Sequence, residues 1–99
     1  MITFNRIAGI QAGKAGPAMA WAQEICAYVK DAYGMTVELA VPVGGNTSRI
    51  AWTVRYDSLA AMEAAQDRML MDAKYQQIVA KGGDWLISGA TRDSLWKSL

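Results

Sequence analysis

Ninety-nine residues, 53% of them hydrophobic, are enough for one domain with a two-layer core and exclude a disordered chain. Ten Lys and Arg against nine Asp and Glu, spread without blocks, leave no electrostatic footprint for nucleic acid or an anionic membrane. The absence of histidine removes the usual general base, the commonest zinc ligand and the common proximal haem ligand, so any chemistry falls to carboxylates, Arg, Lys, Tyr, Asn or a bound cofactor.

The chain opens with Ile2 to Ile10, which alternates as a strand. Ile2, Phe4, Ala8 and Ile10 share one side, and Thr3, Asn5 and Ile7 the other. Arg6 falls on the otherwise apolar side, so it either reaches water at the sheet's end or lines a cleft. Gln11 to Gly16 is a loop, and Pro17 is expected at the first helical position, where its missing N–H costs nothing. The helix runs to Tyr33 and stops at Gly34, a residue suited to the left-handed cap. Its apolar stripe is Ala18, Ala22, Ile25, Cys26, Val29 and Tyr33, with Trp21 and Tyr28 at the flanks.

Met35 to Val43 reads as a second strand, with Val37, Leu39, Val41 and Val43 turned to a helix layer and Pro42 marking an edge position. Gly44-Gly45-Asn46 closes a hairpin onto a third strand, Ile50 to Tyr56. It is not a phosphate loop, because no Gly-Lys-Ser/Thr follows and no helix opens there. Trp52, Val54 and Tyr56 alternate with Thr53 and Arg55. Asp57-Ser58 then caps a helix that carries Leu59, Met62, Ala65, Met69 and Ala73. Ala61 occupies the position where a reciprocal capping carboxylate is expected, so losing the cap should cost about 1 kcal/mol. Asp72 is placed to cap a second segment, Ala73 to Ala80, and Gly82-Gly83 to end it. Asp84 to Ile87 is a single turn broken at Gly89, and Thr91 to Ser98 is a last, edge-type strand.

Cys26 lies on the apolar helix stripe with no partner for a disulfide and no histidine to activate it, so it reads as a small core residue. The methionines read as core fillers, not metal ligands. No basic region with a cleavage site opens the chain, and no stretch approaches the roughly 18 apolar residues that span a bilayer. A cytoplasmic protein without a cofactor is expected.

The element order β-α-β-β-α-β in one domain, residues 1–99, is the ferredoxin-like plan of the α+β class, an antiparallel sheet with its helices on one face. The helix-facing row is then Ile2, Phe4, Val37, Leu39, Val41, Trp52, Val54 and Tyr56. The opposite face holds Thr3, Asn5, Ile7, Glu38, Ala40, Thr53 and Arg55 and has no layer to cover it.

Three runs carry a resemblance: Trp52-Thr-Val-Arg-Tyr-Asp-Ser-Leu-Ala-Ala61, Leu70-Met-Asp-Ala-Lys-Tyr75 and Gly89-Ala-Thr-Arg-Asp-Ser-Leu95. The chain resembles the dimeric α/β-barrel superfamily, in particular its NIPSNAP-like and antibiotic-biosynthesis-monooxygenase-like members. The resemblance implies two subunits packed sheet against sheet and a ligand cleft beside the sheet. Relatives that degrade haem pair a first-strand Asn with a histidine and a Trp of the second helix. Asn5 matches the first in type, whereas Tyr75 and Gln76 stand near the histidine position, which argues against haem.

Two functions follow as expectations. One is a homodimer, joined through the open sheet face, that binds a small organic ligand or serves a structural role. The other is a cofactor-independent monooxygenase or isomerase. In either case the ligand-binding candidates are Asn5, Arg6, Glu38, Trp52, Arg55 and Tyr56. An Arg steadies an enolate or oxyanion, an Asn holds a carbonyl, and aromatic rings stack on a flat molecule.

Overall fold

Strand alternation and helix periodicity translate directly into the architecture of the computed structural model, which describes residues 1–99. The elements are β1 (Ile2–Gly9), α1 (Ala15–Tyr33), β2 (Glu38–Ala40), β3 (Arg49–Tyr56), α2 (Leu59–Leu70), α3 (Ala73–Ala80), a 3₁₀ turn (Lys81–Asp84) and β4 (Arg92–Lys97). The strands form one antiparallel sheet in the order β2-β3-β1-β4. This is the ferredoxin-like plan, with the second helix divided into α2 and α3. Ile10 extends β1 by one isolated bridge to Leu86.

The register sets the site. β1 pairs with β3 from Ile2 opposite Tyr56 to Gly9 opposite Arg49, and with β4 from Ile2 opposite Lys97 to Ile7 opposite Arg92. Side chains directly opposite share a face, so rows run across the sheet. The helix-side rows are Tyr56-Ile2-Lys97, Val54-Phe4-Leu95 and Trp52-Arg6-Asp93, with Ile50 beside Ala8. Ala8, Ile50 and Trp52 pack with Ala18, Trp21, Ala22, Ile25, Val29 and Ile78, while Ile2, Val54 and Tyr56 pack around Met62.

Local chemistry accounts for the helix ends. α1 stops at Gly34, whose φ of 68° is left-handed and whose N–H donates to the Lys30 carbonyl. It starts earlier than expected, at Ala15, which makes Pro17 the third helical residue. The amide at that position is still one of the four without an intrahelical partner, so the proline remains free of cost. Ser58 Oγ accepts the Ala61 N–H at 3.1 Å, and Asp72 Oδ1 accepts the Tyr75 N–H at 3.1 Å.

Three expectations are corrected. β2 is only three residues long, and Val41 and Val43 are exposed instead of facing the helices. Pro42 has no N–H for the ladder, and the following glycines carry the chain away from β3 in a loop where Gly45 has a φ of 70°. Leu59 is exposed, and the buried stripe of α2 begins at Met62. Trp21 is buried in the core instead of flanking it, because Gly82 presents no side chain there: a Cβ at Gly82 would lie 2.4 Å from the indole. The Trp21 Nε1–H donates to the Ile78 carbonyl at 2.7 Å.

Candidate functional site: a cleft between sheet and helices

The rows Val54-Phe4-Leu95 and Trp52-Arg6-Asp93 form the floor of a cleft of about 920 Å³, roofed by α1, α2 and α3. All six residues of β4 are exposed, so the cleft opens at that edge of the sheet. Its walls are mostly apolar, with Ile25, Met69 and Val79 among them. Ligand sites typically occupy about 300–1,000 Å³ and combine apolar walls with a few placed polar groups, and this cleft has that character.

The central polar feature is Arg6. Its Nε and one Nη donate to the two carboxylate oxygens of Asp93 at 2.7 and 2.8 Å, a bidentate clamp across β1 and β4. The second Nη of Arg6 makes no hydrogen bond. The hydrogen bonds from Arg6 hold the Asp93 carboxyl below the usual carboxylate range, and the same bonds push the Arg6 guanidinium above its ordinary value. The clamp is therefore ionised across the neutral range. Arg6 also lies over the Phe4 ring, 5.4 Å from its centroid.

Three aromatic groups add polar atoms, beside Gln66, Gln76, Ser88 and Thr91 in the lining. Trp52 is 8% exposed, and its indole N–H is buried without a hydrogen-bond partner. Such a donor costs about 1–3 kcal/mol. Trp21 packs edge-on against Trp52 at 5.7 Å and has its own N–H satisfied, so the deficit is specific to Trp52. Burial raises the phenols of Tyr56 and Tyr75, keeping both as neutral donors.

The structure divides the six candidates by face. Arg6, Trp52 and Tyr56 meet in the cleft. Asn5, Glu38 and Arg55 lie on the other side of the sheet and are not brought to it. There Asn5 Nδ2 donates to Thr53 Oγ1 at 2.9 Å, and Arg55 pairs with Glu38 at 2.6 Å. This ion pair is more than half exposed, a geometry worth about 0–1 kcal/mol. Asp93 and Tyr75 are cleft residues that the candidate set lacks. Period two puts Asp93 and Leu95 on one side of the last strand, but only the β1–β4 register assigns that side to the cleft. No cluster of acidic or cysteine side chains able to hold a metal ion is formed.

No protein-family model matches the sequence, and no curated protein does. Solved structures do match. A NIPSNAP domain protein from Burkholderia xenovorans superposes with a TM-score of 0.85 at 16% identity, over 100% of this chain and 95% of that one. A NIPSNAP family protein from Agrobacterium tumefaciens gives 0.79 at 17% identity, over 99% and 92%. A candidate antibiotic biosynthesis monooxygenase from Nitrosomonas europaea gives 0.76 at 12% identity, over 100% and 99%. The chain thus has, along its whole length, the ferredoxin-like fold shared by NIPSNAP and antibiotic-biosynthesis-monooxygenase-like structures.

Proposed function

We propose that this protein is a homodimeric small-molecule-binding module whose ligand, a flat and largely apolar organic molecule, lies between the sheet and the helices. The observation that carries this reading is the cleft itself: an apolar space of about 920 Å³, open along β4, with one clamped guanidinium and three aromatic groups on or near its floor. The probe N-phenyl-1-naphthylamine, which is uncharged and brightens in apolar surroundings, tests it. Saturable binding of one probe per chain is expected, with loss of the signal in Val79→Trp, where the new side chain fills the cleft. A signal that does not saturate, or that persists in a folded Val79→Trp protein, overturns the reading.

The dimer part of the proposal rests on the other side of the sheet. That face carries Thr3, Asn5, Ile7 and Thr53 in the middle and Trp96, 68% exposed, on β4. No helix of this chain lies over it, and a second copy covers such a face through a two-fold axis.

A second reading, a cofactor-independent monooxygenase or isomerase, draws on one specific observation. Arg6 and the protonated Tyr75 line the same apolar cleft, and this combination suits a developing enolate or oxyanion. Product separates the two readings: a binder returns its occupant chemically unchanged, and an enzyme does not.

A further inference from the structure

We propose that Asp93 sets the charge selectivity of the cleft: by clamping Arg6 it makes the floor neutral, so the site takes uncharged molecules bearing a carbonyl-type acceptor and turns away carboxylates. The inference rests on the cleft being the ligand site and adds to it the class of molecule admitted.

Of all the residues that line the cleft, only Arg6 and Asp93 are charged. They sit opposite each other on β1 and β4, in the row that begins with the buried Trp52 on β3. Both line the cleft, and their side chains are about equally exposed, 45% and 43%. The bidentate geometry takes both carboxylate oxygens and leaves one Nη of Arg6 without a partner. A guanidinium has five N–H donors, so the clamp leaves the Arg able to donate while cancelling its charge. A ketone, amide or lactone oxygen accepts such a bond at little desolvation cost. A carboxylate meets no uncompensated cation, loses its water to apolar walls and lies within a few ångströms of the Asp93 carboxylate, where like charges repel. The next row, Val54-Phe4-Leu95, provides an apolar bed for the rest of the molecule. The tyrosines of the cleft remain neutral, so neither adds a charge to the floor.

Removing the carboxylate charge inverts the logic. Asp93→Asn leaves Arg6 as a single cation in an apolar cleft, and a bound carboxylate then takes the bidentate place that Asp93 held.

Calorimetric titration with three probes of one shape, naphthalene, 2-acetylnaphthalene and 2-naphthoate, tests this. For the wild type, naphthalene binds, the ketone binds about tenfold tighter, and the naphthoate binds at least about tenfold more weakly than the ketone. In Asp93→Asn the naphthoate becomes the tightest of the three. If naphthalene binds but the wild type holds naphthoate as tightly as the ketone, the charge inference is overturned while the cleft reading stands. The same follows if the order is unchanged in folded Asp93→Asn. If none of the three binds, both fall. Should Asp93→Asn fail to fold, Arg6→Gln decides the matter: the ketone loses its advantage over naphthalene, and naphthoate is rejected more strongly than by the wild type. Unchanged selectivity in Arg6→Gln overturns the inference.

Discussion

Asp72 performs two tasks with its two oxygens. One caps α3, and the other accepts the hydroxyls of Tyr33 and Tyr28, the latter at 2.7 Å, which ties the start of α3 to the end of α1. Those two bonds and the cap hold its carboxyl down at about 2, against an ordinary value of 3.8. Burial, then the Asp72 bond, raises Tyr33 to about 12. A carboxylate whose folded value is depressed contributes stability that is complete above its unfolded value and is lost as the pH falls through its folded one. Asp72 therefore contributes fully above about pH 4 and loses its contribution between about pH 4 and 2. A phenol whose value is raised behaves oppositely, so the Tyr33 contribution is complete below about pH 10 and lost between 10 and about 12. Urea unfolding followed across pH should show Asp72→Asn reducing the acid-side slope by up to one proton and also weakening the alkaline limb, of which the part due to burial of Tyr33 remains. An unchanged acid slope would show that the clamp contributes nothing to acid sensitivity.

At the scale of elements, the 3₁₀ turn after α3 matters because Gly82 lets Trp21 into the core. The indole is held from three directions, by its hydrogen bond to Ile78, by Trp52 at 5.7 Å and by Trp85 at 6.2 Å. A Cβ at Gly82 would lie 2.4 and 2.5 Å from ring atoms that have nowhere to retreat. Gly82→Ala should therefore destabilise the protein by about 1–3 kcal/mol in urea unfolding. Gly83→Ala, where a Cβ meets nothing within 4 Å, serves as the near-neutral control. Equal effects of the two would mean that backbone freedom, and not the approach of Trp21, is what the first glycine supplies.

For the whole molecule, the proposed dimer predicts association through the sheet face that no helix covers. Light scattering should give twice the chain mass of 10.7 kDa at micromolar concentration, and a permanent interface should bury about 1,500 Å² or more. Glu38 and Arg55 already pair within the chain on the open face, so Arg55→Glu places two carboxylates together where the partner is to dock. It should weaken the dimer, whereas a change at exposed Glu63, on α2, should not. A mass of 10.7 kDa that does not vary with concentration removes the dimer.

The sequence by itself determined whatever depends on neighbours along the chain. The two faces of β1 and β3 follow from period two, the ends of α1 and α3 from Gly34 and Asp72, the division of the second helix from the same Asp72, and the ferredoxin-like order from the succession of elements. It also placed Arg6 on the apolar side as a residue that either reaches water or lines a cleft. The tertiary structure alone decided between these, because the partner that fixes Arg6 lies 87 residues away on a strand that the β1–β4 register brings opposite. The same holds for Trp21 against Gly82, where a missing side chain in one segment makes room for a ring in another. It holds as well for the six ligand candidates. Their chemistry was legible residue by residue, but which three share a cleft is set by the face of the sheet that the helices cover, a property of packing that no local pattern encodes.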